Sequence, residues 1–404
     1  MEIPNDAIFA DLHIHSKYSR ATSFNLNFEN LVKWAKIKGL NLLGTGDFTH
    51  PVWFGEIKKL DDKGTGFYYF HDFPFIITGE ISLIYTQERG RRIHLVLLVP
   101  SAEIAEKINS YLDTKGRRDY DGRPIFKISG EEFVREMKKI SDDIEIIPAH
   151  IWTPWFGLFG SMSGFDSLKE CFGEQSEKIY SIETGISSDP EMNWKIKEME
   201  DKAILSFSDA HSFWPWRLGR EATIFRRCDS YKELINQIRG KTFAGTVEAD
   251  PAYGKYHFDG HRLCNFSCSP KKTKELDGIC PVCKKPLTIG VDNRVGQLSN
   301  KDSNPKIKKE FYKILPLHEI ISLSTGNGMQ SKGTWNIYNS LINNFGNEFN
   351  ILLDISKEEF ARKKIDEKLV ELILKNRDGK IKIKPGYDGV YGEAQLEEEQ
   401  KRLF

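Results

Sequence analysis

The sequence predicts an α/β protein in which about seven strands form a barrel or a barrel-like sheet, followed by a small metal-binding insert and a helical C-terminal region. Up to about residue 250, short β-branched runs alternate with amphipathic stretches, which is typical of strands joined by helices. A stretch rich in Gly, Pro, Lys and Cys then runs to about residue 300. From residue 306 onward, Leu, Ile and Phe recur at helical spacing.

Seven short apolar runs are the candidate strands of the first region, and we expect them to be parallel. They are Ile8 to Asp11, Leu40 to Gly44, Phe75 to Ile81, Ile93 to Val99, Ile144 to Pro148, Ile179 to Glu183 and Ile204 to Ser208. A helix is predicted from Phe28 to Lys38, with Asn27 as its N-cap. Seven strands in one region favour a barrel or a barrel-like sheet.

Three domains are expected from these changes in pattern. They are an α/β domain at residues 1–250, a small four-cysteine domain at 251–300 and a helical domain at 301–404. The apolar residues of the third domain fall into three helical groups: Leu317, Ile320 and Ile321; Ile337, Leu341 and Phe345; Leu369, Leu372 and Ile373. The segment 385–392, PGYDGVYG, is predicted to be a turn because it is rich in glycine and begins with proline.

Composition and charge restrict the function. The chain has 404 residues, and its 58 Lys and Arg residues balance its 58 Asp and Glu residues. Nucleic-acid binding would therefore rest on a local basic face rather than on the overall charge. The longest apolar run, Ile93 to Val99, contains His94 and is too short to cross a bilayer. We therefore expect a soluble, cytoplasmic protein.

Most predicted strands end on, contain or are closely followed by a residue that can bind a metal ion. These residues are His13, His15, Asp47, Glu80, His94, His150, Glu183, Asp209 and His211. The carboxyl ends of parallel barrel strands meet on one face, so these side chains are expected to converge. A single strand-end histidine is more often structural than a ligand, but so many equivalent positions favour a metal cluster. Imidazole and carboxylate together suit Zn²⁺, Mn²⁺ or Fe²⁺. Glu183 is expected either to bind the metal directly, or to contact one of the ligands from outside or cap a helix.

The cysteines predict a separate metal site. Four of the six lie within twenty residues in the pattern C-x3-C-x11-C-x2-C, namely Cys264, Cys268, Cys280 and Cys283. This spacing is typical of structural Zn²⁺ sites in a reducing compartment rather than of disulfides. His257 and His261 are alternative ligands, whereas Cys171 and Cys228 are expected to be ordinary buried thiols.

Five segments resemble the polymerase-and-histidinol-phosphatase (PHP) domain, and within it the endonuclease Q branch. They are residues 11–16 (DLHIHS), 44–51 (GTGDFTHP), 78–82 (TGEIS), 148–155 (PAHIWTPW) and 208–212 (SDAHS). The resemblance covers about residues 8–225, and the four-cysteine segment and the PGYDG turn extend it over nearly the whole chain. It implies a distorted barrel of seven strands that holds three metal ions.

The resemblance also implies how the ions are shared. His13, His15, Glu80 and Asp209 would hold the first, Glu80 would bridge to a second held by His94 and His150, and Asp47 with His211 would hold the third. Asp209, His211 and Glu80 are the implied catalytic residues. Two or three divalent ions are expected, with Zn²⁺ as the first choice and Mn²⁺ or Mg²⁺ as alternatives.

The third of these ions is the least well provided for. Many PHP proteins have a His or Asp shortly after the His-x-His pair, whereas this chain has Ser19 and Arg20. We therefore expect the third site to be weaker, with His50 as the substitute ligand.

Five residues are candidates for contacting DNA or the lesion. They are Trp155, Trp214, Arg217, Arg220 and Tyr387. Aromatic rings beside a metal centre can stack on an extruded base, and arginines can contact phosphate. About half of the aromatic rings are expected to pack beneath their loops instead.

The resemblance implies a DNA repair endonuclease that cuts 5′ to deaminated bases (uracil, hypoxanthine or xanthine) and abasic sites, leaving 3′-hydroxyl and 5′-phosphate ends. A phosphoesterase acting on a small phosphorylated metabolite is the alternative, and a non-catalytic DNA-binding adaptor is the third. The metal-ligand set argues against an adaptor, and the insert with the helical region argues against a small-molecule enzyme. Damaged DNA is the expected partner, and a sliding clamp is a further candidate.

Overall fold

A computed structural model describes residues 3–396 of the chain. Its strands are β1 (Ile8–Asp11), β2 (Leu42–Gly44), β3 (Asp61–Asp62), β4 (Tyr68–Phe70), β5 (Phe73–Gln87), β6 (Arg89–Val99), β7 (Ile125–Phe126), β8 (Glu145–Pro148), β9 (Ser181–Glu183), β10 (Ala203–Leu205), β11 (Ala222–Phe225), β12 (Gly245–Glu248), β13 (Asp259–His261), β14 (Phe266–Cys268), β15 (Glu310–Lys313), β16 (Lys382–Lys384) and β17 (Glu393–Gln395). Its α-helices are α1 (Phe28–Lys38), α2 (Pro51–Ile57), α3 (Ala102–Asp113), α4 (Gly130–Ile140), α5 (Leu168–Phe172), α6 (Pro190–Asn193), α7 (Tyr231–Arg239), α8 (Pro270–Glu275), α9 (Val291–Leu298), α10 (Leu317–Thr325), α11 (Lys332–Phe345), α12 (Glu348–Leu353), α13 (Lys357–Arg362) and α14 (Glu367–Arg377).

Eleven of the strands described between residues 3 and 396 belong to one mixed sheet. At its centre β1 is parallel to β2 and antiparallel to β11, and β2 continues parallel to β5. β5 pairs antiparallel with β6, which in turn pairs antiparallel with β8. β9 and β10 form a separate parallel pair, and β9 contacts β8. The chain is therefore a mixed α/β protein.

Each of the seven predicted strands corresponds to a strand of the structure, but the prediction that they are parallel is wrong for several of them. β5 and β6 are separated only by Glu88, whose φ is 60°. A connection this short can join only antiparallel strands, because parallel neighbours need a crossover of a dozen or more residues. A hydrophobic run in the sequence indicates a buried strand and its length, but not whether that strand is parallel or antiparallel to its neighbours.

The first helix begins and ends where it was predicted. The side chain of Asn27 accepts a hydrogen bond from the main chain of Asn30 and caps the first turn. Gly39 ends the helix in the left-handed conformation, at a φ of 98°, which favours glycine. Leu31 and Ala35 are buried in the core, as the helical spacing indicated.

The C-terminal part of the described chain is helical, as predicted. Helices α10, α11, α12 and α14 contact one another around buried residues such as Tyr338, Leu341 and Ile373. The region is joined to the main sheet because β15 pairs in parallel with β12. Among all helices described in residues 3–396, none is both long and apolar enough to span a membrane.

A small insert follows β12 in the chain and precedes β15 and the helical region. It contains the β13–β14 hairpin, α8 and α9, and the loop before α9 contacts the segment that follows β8, where the hydroxyl of Ser161 donates to the carbonyl of Ile289 at 2.9 Å. The turn at residues 385–392, which joins β16 to β17, closes onto the start of the insert. The main chain of Gly386 donates to Ala252 and accepts from Phe258, at 2.8 and 2.9 Å.

Candidate metal centre

Two neighbouring segments of the chain bring four of the predicted ligands to one face. Ile14 and Ala210 form a parallel bridge, and the main chain of His15 donates to the carbonyl of Ala210 at 3.0 Å. The residues on either side of this bridge are thereby brought together, and Nε2 of His15 lies 3.0 Å from Oδ1 of Asp209. The four ligands are His13, His15, Asp209 and His211.

The predicted ligands lie in two groups that share Glu80. The first contains His13, His15, Glu80 and Asp209, and the second contains Glu80, His94 and His150, with the ligand atoms of each group within 4.8 Å of one another. Glu80 Oε1 lies 2.6 Å from Nδ1 of His94 and 3.2 Å from Nε2 of His150. Glu80 Oε2 lies 3.2 Å from Nε2 of His15. One buried carboxylate therefore joins the two groups.

Outer carboxylates orient the two histidines of the first group. Nδ1 of His13 lies 2.8 Å from Oε1 of Glu183, and Nδ1 of His15 lies 2.9 Å from Oδ1 of Asp47. In neutral imidazoles these contacts place the proton on Nδ1 and leave the Nε2 lone pair facing the cluster. Glu183 is thus placed as an outer partner, which was one of its predicted roles.

The side chains that are present fit a divalent cation. Nε2 of His13 is buried and has no hydrogen-bond partner, as expected of an atom that serves as a metal ligand. Burial lowers the pKa of His94 to about 4, so this ring is neutral and one of its nitrogens has a lone pair available for a metal ion. Burial alone would raise the pKa of Glu80, but His94, Arg123 and His13 hold it well below its usual value. The cluster therefore contains at least one neutral imidazole, that of His94, beside the ionised carboxylate of Glu80.

The predicted ligands of the third ion do not come together in this way. Asp47 is occupied as a hydrogen-bond acceptor: its Oδ2 accepts from the main chain and hydroxyl of Ser16, both at 2.6 Å, and from the hydroxyl of Ser19 at 2.9 Å. His211 donates from Nδ1 to the carbonyl of Asp209 at 2.9 Å. His50, the expected substitute, stacks on the ring of Tyr18 with their centroids 4.3 Å apart.

Three cluster residues have a backbone conformation that is unusual for residues other than glycine. The φ angles of Asp47, His150 and Asp209 are 46°, 31° and 48°. A left-handed conformation at such residues is energetically costly, and it is typical of functional sites held in place by the surrounding structure. The strain lies at the turns that direct these side chains toward the cluster.

Arg123 is a cluster neighbour that the sequence reasoning missed. Its Nη1 donates to Oε2 of Glu80 at 2.9 Å, and its side chain is 26% exposed while that of Glu80 is fully buried. It stands between Gly122 and Pro124 in a loop without apolar periodicity, so no pattern in the sequence distinguishes it from a surface arginine.

A cleft of about 300 Å³ opens beside the cluster. Its lining includes His94, Arg123, His150, Trp155, Phe156, Asp209, Arg220 and Tyr256. Trp155 and Tyr256 contact each other in its lining, with their rings edge to face and 5.6 Å between centroids. The cleft therefore joins the metal-binding side chains to an aromatic wall, and two of the predicted DNA contacts, Trp155 and Arg220, lie on it.

The other three predicted DNA contacts have different surroundings. Trp214 is 36% exposed and stacks on Trp216, with their ring centroids 5.4 Å apart. The guanidinium of Arg217 lies over the ring of Tyr391 at 5.6 Å. Tyr387 is only 9% exposed, and its hydroxyl donates to Asn265 at 2.7 Å. Tyr387 therefore packs against the insert rather than facing the cleft.

The insert gathers a second possible metal site from a histidine and three cysteines. They are His261, Cys264, Cys280 and Cys283. Cys268, which the spacing had placed in the site, pairs with Asp259 in the β13–β14 hairpin and lies 3.2 Å from the hydroxyl of Thr273. His261 takes the place of Cys268 in this set, and its Nδ1 lies 3.1 Å from the sulfur of Cys264. The set that the structure gathers thus contains one of the two alternative histidines.

Comparison with known proteins places this fold and cluster among relatives. The model of the MJ0043 C-terminal domain matches residues 316–380. The uncharacterized protein MJ0043 of Methanocaldococcus jannaschii is 32% identical over 301 residues, which are 72% of this chain and 36% of that protein, so the chain spans only about a third of its length. The uncharacterized protein YqxK of Bacillus subtilis is 26% identical over 410 residues, covering 95% of this chain and 98% of that protein.

Two solved structures match over nearly the full length. One is the lesion-specific endonuclease PfuEndoQ from Pyrococcus furiosus, with a TM-score of 0.87, 32% identity and coverage of 96% of this chain and 95% of that chain. The other is endonuclease Q in complex with a 27-mer duplex that has an abasic lesion at the active site, with a TM-score of 0.88, 32% identity and 97% of both chains covered. Both of these structures are of endonucleases, and the present chain shares their fold over nearly its full length. The chain belongs to the endonuclease Q family.

Proposed function

We propose that this protein is a metal-dependent DNA repair endonuclease that cuts the phosphodiester 5′ to deaminated bases and abasic sites, leaving 3′-hydroxyl and 5′-phosphate ends. The observation that carries the proposal is the pair of ligand groups joined by Glu80 at the edge of a cleft. The near full-length match to an endonuclease Q bound to an abasic duplex supports the choice of substrate. The MJ0043 match covers too little of that protein to add an activity.

The domains would divide the work as the sequence suggests. Residues 1–250 would hold the cluster on the PHP barrel, 251–300 would carry Zn²⁺ in the insert, and 301–404 would bind the duplex. Bound divalent cations, Zn²⁺ or alternatively Mn²⁺ or Mg²⁺, would activate water and neutralise charge on the phosphate. Nothing in the comparisons supports a sliding clamp as a partner.

Side chains of the chain itself have three tasks in this proposal. Asp209, whose side chain is 30% exposed, is the carboxylate of the cluster that reaches the cleft, so it positions the attacking water. His211 donates from Nδ1 to a carbonyl, and its Nε2 is therefore available to take the proton of that water. Glu80 fixes the spacing of the two ligand groups.

An extruded base would enter the cleft. The chemistry that distinguishes a damaged base is hidden inside the duplex, so the nucleotide has to be rotated out before it can be read. The edge-to-face pair of Trp155 and Tyr256 offers a ring surface for it. Arg220, whose Nη1 is buried without a partner, lies on the same wall.

The test uses labelled duplexes that contain one uracil, one hypoxanthine, one xanthine, one abasic site or no lesion. We expect a single cut on the 5′ side of each lesion, and products that DNA ligase can reseal because they carry 3′-hydroxyl and 5′-phosphate ends. Asp209→Asn, purified in parallel, controls for contaminating nucleases. Hydrolysis of a small phosphomonoester with no cutting of any duplex would instead support a metabolite phosphoesterase.

A further inference from the structure

The carboxylate of Asp47 is closed off by a neighbouring loop. A Cβ atom at Gly122 would lie 2.2 Å from Oδ2 of Asp47 and 2.3 Å from the hydroxyl of Ser19, so only glycine fits there. The loop is held in this position because the main chain of Gly122 donates to Tyr18 at 3.0 Å and accepts from the hydroxyl of Thr49 at 3.2 Å. The loop therefore packs directly against Oδ2 of Asp47 and blocks the approach of a cation from that side.

The hydrogen-bonding capacity of Asp47 is also used up. One oxygen accepts three hydrogen bonds from Ser16 and Ser19, and the other faces Nδ1 of His15. A carboxylate with this many donors is a poor candidate for a further ligand role, because a metal ion would have to displace them. Asp47 therefore orients His15 and does not coordinate an ion of its own.

The residue that follows Gly122 in this loop, Arg123, places a permanent positive charge beside the cluster. Arg123 points into the cleft and donates to Oε2 of Glu80, and Asp209 lies on the same cleft. The Arg123 guanidinium is charged at any working pH. Its planar fork suits both a carboxylate and a phosphate.

We infer that the cluster holds two divalent cations and that the guanidinium of Arg123 takes the place of a third, contacting a non-bridging oxygen of the scissile phosphate while it remains on Glu80. This inference rests on the proposed function, since it names a phosphate as the group that Arg123 contacts. It also explains why the chain has Ser19 where a third ion would need a ligand: the hydroxyl of Ser19 holds Asp47 as a hydrogen-bond partner. Unlike an ion, this charge cannot be removed by a chelator.

The first experiment counts metal in the full-length protein by plasma mass spectrometry after dialysis. We expect three ions per chain, two in the cluster and one in the insert, and the same three in Arg123→Ala and Arg123→Lys. The control is Arg20→Ala, since Arg20 is an exposed arginine that pairs with Asp121 and does not contact the cluster. Four ions in the wild type would overturn the inference that the cluster holds only two. An additional ion gained on removal of Arg123 would overturn the inference that the site beside Asp47 is closed to a third.

The second experiment measures cleavage of the abasic duplex by the same variants in single turnovers. Loss of a positioned donor to the phosphate typically costs about 10²- to 10³-fold in rate, so we expect this loss in Arg123→Ala and a partial recovery in Arg123→Lys. An Arg123→Ala rate equal to that of the wild type would refute the phosphate contact. If the wild type cut no duplex, the proposed function would fail, while the metal count would still decide how many ions the cluster holds.

Discussion

The ammonium of Lys38 lies 2.7 Å from the carboxylate of Glu348, 310 residues further along the chain, and both side chains are buried. Lys38 also donates to the carbonyl of Pro215 at 2.8 Å, and the hydroxyl of Tyr338 donates to Glu348 at 2.8 Å. One ion pair thus connects the first helix, the segment after the cluster residue Asp209 and the helical region.

Removal of Glu348 should destabilise the whole fold. A buried charge that loses its partner costs about 3–5 kcal/mol, so Glu348→Ala should lower the free energy of unfolding by about this amount in urea titrations. Lys36→Ala, which breaks the exposed pair with Asp72, is the matched control and should behave like the wild type. A Glu348→Ala protein as stable as that control would show that the pair contributes little.

Replacement of Asp47 should weaken metal binding without emptying the cluster. Asp47→Asn removes the charge that orients His15, and loss of such an outer partner typically costs about 10- to 100-fold in metal affinity. Competition with a chromogenic chelator measures the change, and Asp72→Asn serves as an exposed control. Loss of a whole equivalent of metal from Asp47→Asn would show instead that Asp47 is a direct ligand.

The two candidate ligands of the insert, His261 and Cys268, can be separated by mutation. Because thiolate and imidazole ligation couples metal binding to local folding, His261→Ala and Cys280→Ser should lose Zn²⁺ and bind DNA more weakly while the main sheet stays folded. Cys268→Ser should retain the ion, since the structure places that thiol on Thr273. A metallochromic dye follows the release, and the opposite result for Cys268 and His261 would restore the four-cysteine site.

Lesion reading by extrusion predicts a dependence on the opposing base. Uracil opposite guanine should be cut faster than uracil opposite adenine, because rotating a base out of a weakened pair costs less. Trp155→Ala should weaken binding to damaged DNA by about tenfold to a hundredfold, since stacking contributes about 1–3 kcal/mol per base. Trp194→Ala is the control, because Trp194 packs on Phe311 away from the cleft. Equal rates on both uracil pairs would argue against extrusion.

Stability should decline with pH through the titration of Glu319. Burial raises its pKa to about 7, although the hydroxyl of Tyr253, which donates to it at 3.0 Å, opposes the shift. The folded protein therefore holds this proton more tightly than the unfolded chain, and the stabilisation is complete below about pH 4.5 and lost as the pH rises through 7. Urea unfolding between pH 5 and pH 8 should show a smaller decline in Glu319→Gln than in the wild type. Identical slopes would exclude Glu319 as the source.

The sequence was most informative where burial and chemistry coincide. Apolar runs located the strands, and strand-end residues such as His13, Glu80 and Asp209 were identified because they interrupt or follow such runs. Spacing alone could not tell Cys268 from His261, since the choice depends on the hairpin register. The position of Arg123 beside Glu80 could not be predicted from the sequence, because it depends on a loop that packs against Asp47. Contacts between loops produce no periodic pattern in the sequence.

The hydrogen bonds between Gly386 and the segment at Ala252 and Phe258 set an order for biosynthesis. The main sheet up to β12 can form as it leaves the ribosome, because domains generally fold as units from the N-terminus. The insert, in contrast, gains its closing turn only after the entire helical region has been translated. A newly made chain therefore passes through a stage in which the histidine and carboxylate ligands of the cluster are all present, but Ala252 and Phe258, on either side of Tyr256, still lack their main-chain partner Gly386.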